Sequence, residues 1–120
     1  MALPRQYRLT HNRDFSKVYR FGKQAATNHL AVKVLTLPEQ FSVCCSRFGI
    51  TVSQKVSKRS VVRNRLKRQV RAALQALIPH LKSGLWIVVI LRAPAIECDY
   101  WQFLRELKQL FSELEVFHGY

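Results

Sequence analysis

Residues 60–78 read SVVRNRLKRQVRAALQALI, and the way that stretch divides decides the architecture around it. At 100° per residue, Val62, Leu66, Val70, Ala73, Leu74 and Leu77 fall on one broad apolar face. The spacing therefore predicts an amphipathic helix from about Ser60 to Ile78, stopped by Pro79. Asn64, Lys67, Arg68 and Arg71 fall together on the opposite side, with Arg65 on its flank. Arg63 points nearer the apolar edge, so its head must reach the end of the helix or bend out to solvent. A helix split this way docks one face on a sheet and offers the other to a partner.

The strands for that sheet lie on either side. Leu30 to Thr36 is rich in Val and Leu and reads as a strand closed by Pro38. Phe41, Val43 and Cys45 alternate in one phase, and Phe48, Ile50 and Val52 in the other, which predicts two antiparallel strands with a turn or bulge between them. Leu85 to Leu91 is apolar without alternation, the pattern of a strand buried on both faces. A short first helix carries Phe15, Val18 and Tyr19 at helical spacing, with Thr10 or Asn12 as its cap and Gly22 as its end. A last helix from Asp99 to about Leu114 is expected to turn Trp101, Leu104, Leu107, Phe111 and Leu114 inward. At 120 residues with 48% hydrophobic content, the chain reads as a single domain over 1–120 with a packed core.

Charge gives the function class. The chain has 20 Lys and Arg against 7 Asp and Glu, a net charge of +13. Lys55, Lys58, Arg59, Arg63, Arg65, Lys67, Arg68 and Arg71 put eight of those cations within seventeen positions, and no acid occurs between Glu39 and Glu97. Like charges at i, i+4 repel in the free protein, so the arrangement calls for a polyanion, most commonly RNA or DNA. Arginine's planar fork suits phosphate oxygens and base edges, and the neutral amide of Asn64 both donates and accepts. Phe15, Tyr19 and Phe21 lie among Arg13, Lys17, Arg20 and Lys23, the mixture that stacks and neutralises single-stranded nucleic acid.

Other chemistries find little support. Metal-dependent hydrolysis needs carboxylates converging on cations, and Asp14, the one acid before Glu39, reads as a helix N-terminal charge. Cys44 and Cys45 are adjacent and Cys98 distant, with histidines scattered at 11, 29, 80 and 118; this gives neither a disulfide framework nor zinc spacing. No catalytic or metal-binding residue of the protein's own is expected. The first residues carry no apolar run of a secretory leader, and no stretch approaches the ~20 residues of a membrane helix. A bacterial-type cytoplasm, or an organelle matrix, is the simplest reading, with the cytoplasm and no membrane or DNA partner expected.

Arg8-Leu9, Asp14-Phe15, Val18 through Gly22, Arg47-Phe48-Gly49-Ile50-Thr51-Val52-Ser53 with Lys55, and Arg63-Asn64-Arg65-Leu66-Lys67-Arg68 together resemble the bacterial ribonuclease P protein subunit. The likeness runs in order through nearly the whole chain, including the late apolar strand followed by Arg92 and Pro94. It implies an α+β sandwich of order α-β-β-β-α-β-α, a four-stranded sheet with a left-handed βαβ crossover, akin to ribosomal S5 domain 2. It also implies a role: assisting a catalytic RNA, with its bound Mg2+, in removing the 5′ leader of precursor tRNA.

Carried over by that resemblance, Arg63, Asn64, Arg65, Lys67 and Arg68 lie beside the catalytic RNA, and Phe15 and Tyr19 line a cleft for the single-stranded leader. Lys55 ends the preceding strand as a further RNA contact. Three features depart from the common pattern. Gln54 stands where many members have lysine, Ser57-Lys58-Arg59 replaces a Gly-Asn type turn, and Lys33 occupies a cleft position where an aromatic is common. The RNA-binding set expected here is thus Lys55, Lys58, Arg59, Arg63, Asn64, Arg65, Lys67, Arg68 and Arg71, with Phe15, Tyr19 and Lys33 in the leader cleft. Two other readings share the charge: a ribosomal or general structural RNA-binding protein, and a DNA-binding helix module, which the strands preceding the basic helix disfavour.

Overall fold

A central apolar strand organises the molecule. The computed structural model describes residues 12–36, 46–82 and 84–117. Along the chain these form α1 (Asn12–Phe21), β1 (Lys23–Ala26), β2 (Leu30–Thr36), β3 (Arg47–Val52), α2 (Ser60–Leu77), β4 (Leu85–Leu91) and α3 (Tyr100–Glu113). Single 3-10 turns at Ile78–His80 and Ala93–Glu97 follow α2 and β4. The sheet order is β1-β2-β4-β3. β4 pairs antiparallel with β2 and parallel with β3, so α2 connects two parallel neighbours.

The register explains why β4 shows no alternation. Leu85, Ile87, Val89 and Leu91 face the main core with Leu30, Val32, Val34 and Phe48, under Leu66, Val70, Leu74 and Leu77 of α2 and Phe103, Leu107, Leu110 and Phe111 of α3. Val88 faces the other way onto Val18 of α1, flanked by Phe15, Leu35, Trp86 and Ile90. Each such fully buried Leu, Ile or Phe side chain contributes ~1.5–3 kcal/mol. The helix boundaries of α2 and the inward face read from its periodicity hold: Leu66, Val70, Ala73, Leu74 and Leu77 are buried and Val62 packs at their edge.

Three expectations change. β1, Lys23–Ala26, is absent from the sequence reading because Lys-Gln-Ala-Ala carries no strand pattern; it forms by pairing with β2 from Lys23↔Val34 to Ala26↔Ala31. α1 already includes Asn12, while the alternative cap Thr10 lies outside the described residues, as does the strand read at Phe41, Val43 and Cys45. In α3 the buried stripe is Phe103, Glu106, Leu107, Leu110 and Phe111, and Trp101 is 68% exposed. Both stripes share Leu107 and Phe111. The observed one is viable because Glu106 finds partners there: Thr27 Oγ1 donates to its Oε1, Gln102 Nε2 donates to Oε2 at 2.6 Å, and His29 Nδ1 lies 2.8 Å from Oε2. Asp99 caps α3, accepting from the Gln102 amide at 2.9 Å.

Candidate RNA-binding surface

α2 keeps its cations outward. With Leu66, Val70 and Leu74 anchored in the core, Asn64, Arg65 and Arg68 are exposed, and Lys67 and Arg71 are half-buried along their stems. Among the described residues, the one ion pair to a carboxylate is His29–Glu106, so none of these cations is neutralised by one. The N-terminus of α2 strengthens the field. Arg59 at the cap is extended with no side-chain cap bond, and the first turn contains no acid. The positive end of the helix dipole therefore adds to the cations instead of being offset.

The turn before α2 presents the remaining members. Val56 is buried and pins the loop, with its amide donating to the Ser53 carbonyl at 3.1 Å. The Ser53 hydroxyl accepts from the Lys55 amide and the Ser57 hydroxyl from the Arg59 amide, both at 3.2 Å. Lys55, Lys58 and Arg59 are exposed around that frame. Arg63 is spent differently: its Nη1 donates to the Ser57 carbonyl at 2.9 Å, tying the helix to the turn. Of the two routes the sequence allowed its head, the helix end or solvent, the structure shows the first.

A second surface lies on the α1 side of the sheet. Paired residues share a face, so the register sets Gln24, Lys33, Val88 and Gly49 in one row and Leu35, Trp86 and Arg47 in the next. Over them, the Phe15 and Tyr19 rings stack with centroids 6.5 Å apart, and Lys33 Nζ sits 4.9 Å from the Tyr19 centroid. Phe15 packs on the Val18–Val88 cluster while Tyr19 is 41% exposed. The fold thus brings Phe15, Tyr19 and Lys33 together from separate elements. Half-buried Trp86 and Arg47 join the same face and were missed, since an apolar strand pattern hides which of its residues faces a cleft.

Gly22 sets how closely α1 approaches β2. A Cβ there would lie 2.5 Å from the Val18 carbonyl oxygen and 2.9 Å from that of Val34, so only glycine lets α1 end and turn so close to β2. The Gly22 amide closes the helix on Val18 at 2.9 Å.

Among the described residues no helix is long and apolar enough to cross a membrane. The family model for ribonuclease P matches residues 3–115. Ribonuclease P protein components from Cyanothece sp. and Microcystis aeruginosa are each 47% identical to this chain, covering 98% and 100% of it and 99% and 100% of their own lengths. The RNase P protein of Staphylococcus aureus superposes with a TM-score of 0.80 at 28% identity, over 93% of this chain and 98% of that one. That of Thermotoga maritima gives 0.71 at 29% identity, over 85% and 92%.

Proposed function

Since the chain belongs to the ribonuclease P protein family, we propose that its α2 face binds the catalytic RNA while the α1 cleft holds the 5′ leader of precursor tRNA. Membership makes it the protein subunit of a ribonucleoprotein endoribonuclease of tRNA 5′ maturation, partnered with the ribonuclease P RNA. In this reading one domain over 1–120 carries both surfaces, working in the cytoplasm.

The observation that supports it is the division of the cations. Arg65, Arg68 and Asn64 stand outward on a helix whose underside is locked in the core, and no carboxylate is interspersed. Catalytic RNA and precursor tRNA are both polyanions, and joining them costs repulsion. Each phosphate neutralised by the protein releases counterions and adds a salt-dependent increment, about 0.7–0.9 in log affinity per decade of salt. Cations held on a rigid helix do this without the conformational entropy of ordering a loose tail.

The cleft offers a different grip. A base stacks on Tyr19 for about 1–3 kcal/mol, and the Lys33 ammonium beside it meets the adjoining phosphate. The basic face carries no carboxylate among its described residues, so it does not suit a hard cation. Mg2+ in this reading is held by the RNA and substrate, where it supplies the activated water. The protein lowers the amount required by neutralising phosphates that Mg2+ would otherwise screen.

Reconstitution tests the reading. Purified protein, the host's ribonuclease P RNA and a precursor tRNA are assayed at low magnesium with and without protein. Cleavage that depends on the protein there supports it. Equal cleavage without protein returns the chain to a structural RNA-binding role.

A further inference from the structure

Three of the chain's seven acids, Glu97, Asp99 and Glu106, lie together at the junction of the β1–β2 connection with the start of α3. Glu106 is buried, reached by Thr27 Oγ1, His29 Nδ1 and Gln102 Nε2. Cys98 completes the group: one ligand atom from each of His29, Cys98 and Glu106 lies within 4.8 Å of the other two. The residues come from two segments, and backbone bonds hold each in place. The Arg92 amide donates to the His29 carbonyl at 2.9 Å, and the Cys98 amide to that of Ala95 at 3.0 Å.

We propose that His29, Cys98 and Glu106 bind a divalent transition-metal ion of the zinc class. A thiolate, an imidazole and a carboxylate are together a borderline-soft donor set, one that zinc accepts and magnesium does not. Tetrahedral bonds of ~2.0 Å to nitrogen and oxygen and ~2.3 Å to sulfur put ligand atoms about 3.3–3.5 Å apart. The His29–Glu106 contact of 2.8 Å has to open by roughly half an ångström, and the sulfur has to close by at most ~1.3 Å, both within side-chain motion. His29 is 27% exposed, which leaves water an approach to the fourth position.

On binding, the Cys98 thiol proton passes to solvent, and His29 ligates as the neutral imidazole, Nδ1 turned to the ion and the ring hydrogen carried on Nε2. Thr27 and Gln102 already orient the Glu106 carboxylate, the supporting role that such sites need. The charges favour a cation. Glu106, Asp99 and Glu97 surround the Cys98 thiol with negative charge. Arg92 faces this corner too, with Nη1 on the Thr27 carbonyl at 3.1 Å, and three carboxylates outweigh it. The ion would clamp the end of β2 to α3 where Leu30, Leu91 and Val52 align, the end of the sheet from which the basic turn departs. None of this depends on the RNA-binding reading.

Cobalt is the probe. A Cys44→Ser/Cys45→Ser variant, which leaves Cys98 as the only thiol, is titrated with Co2+ alone. The expected result is saturation at one equivalent with a thiolate-to-cobalt charge-transfer band and the strong visible bands of a tetrahedral ion. Zn2+ displaces the cobalt and Mg2+ does not. Adding Cys98→Ser removes the charge-transfer band, and Gln102→Leu weakens binding about 10- to 100-fold. On the unsubstituted chain, Zn2+ shifts the His29 ring and Cys98 Cβ resonances. Absence of the charge-transfer band, its survival after Cys98→Ser, or His29 resonances unmoved by Zn2+ overturns the site.

Discussion

Lys33 Nζ lies 4.9 Å from the centre of the Tyr19 ring, pairing a cation on β2 with an aromatic on α1. The contact is worth about 0.5–1 kcal/mol at an exposed site, too little to matter for stability. Its consequence is positional, because it sets a charge next to a stacking surface. Tyr19→Ala should weaken binding of leader-bearing precursor tRNA to the holoenzyme by ~1–3 kcal/mol per base unstacked, and Tyr19→Phe by much less. Mature tRNA without a leader should bind equally to all three. Equal losses for both RNAs would mean the cleft does not see the leader.

Arg63 separates stability from RNA binding. Its guanidinium donates to the Ser57 carbonyl, a charged hydrogen bond that joins α2 to the preceding turn. Arg63→Ala should lower the stability of the protein alone by about 1.5–3 kcal/mol. Arg65→Ala, on the exposed face, should stay within about 0.5 kcal/mol of the parent. Denaturant unfolding of the two variants without RNA makes the comparison. Matching midpoints would show that the Arg63 tie contributes nothing.

Gly22 is a steric requirement. An added methyl meets two backbone carbonyl oxygens, which cannot give way as a side-chain tip can. Gly22→Ala should cost ~1–3 kcal/mol and loosen α1 against β2. Thermal unfolding reads the first effect, and weaker leader discrimination the second. An unchanged melting temperature would contradict the close approach.

Cys98 should be a slow thiol. Burial, reinforced by the neighbouring carboxylates, raises it from 9.0 to about 11, and only the thiolate reacts. Alkylation of the metal-free folded protein, followed by mass spectrometry of the Cys98 peptide, should be slow at pH 8 and accelerate through pH 9 to 11. A rate that levels off by pH 9 would mean that neither burial nor the carboxylates raise it.

These residues also show what was readable beforehand. α2 could be placed almost to the residue because its two signals, apolar period and unbroken positive charge, never conflict. The burial of β4 on both faces was equally plain, but not which of its residues would meet α1; that depends on the register with β2, and so Trp86 went unseen. β1 has no pattern of its own and borrows its structure from β2. In α3 two apolar stripes competed, and the deciding factor was non-local, a pocket of polar partners for Glu106. The same distance hid the His29–Glu106 pair, 77 positions apart, and with it the proximity of Cys98. Phe15, Tyr19 and Lys33 were legible as types and by resemblance, while their convergence needed the fold.

The central claim is that cations on the outer face of α2 replace magnesium in bringing two RNAs together. The most direct measurement is the magnesium dependence of precursor tRNA cleavage by holoenzyme reconstituted with Arg65→Ala/Arg68→Ala protein, checked as folded by circular dichroism. The account predicts a magnesium midpoint moved to higher concentration, and a salt dependence of RNA binding shallower by about 0.7–0.9 per lost contact. A double variant with the parent's magnesium midpoint and salt slope would contradict it.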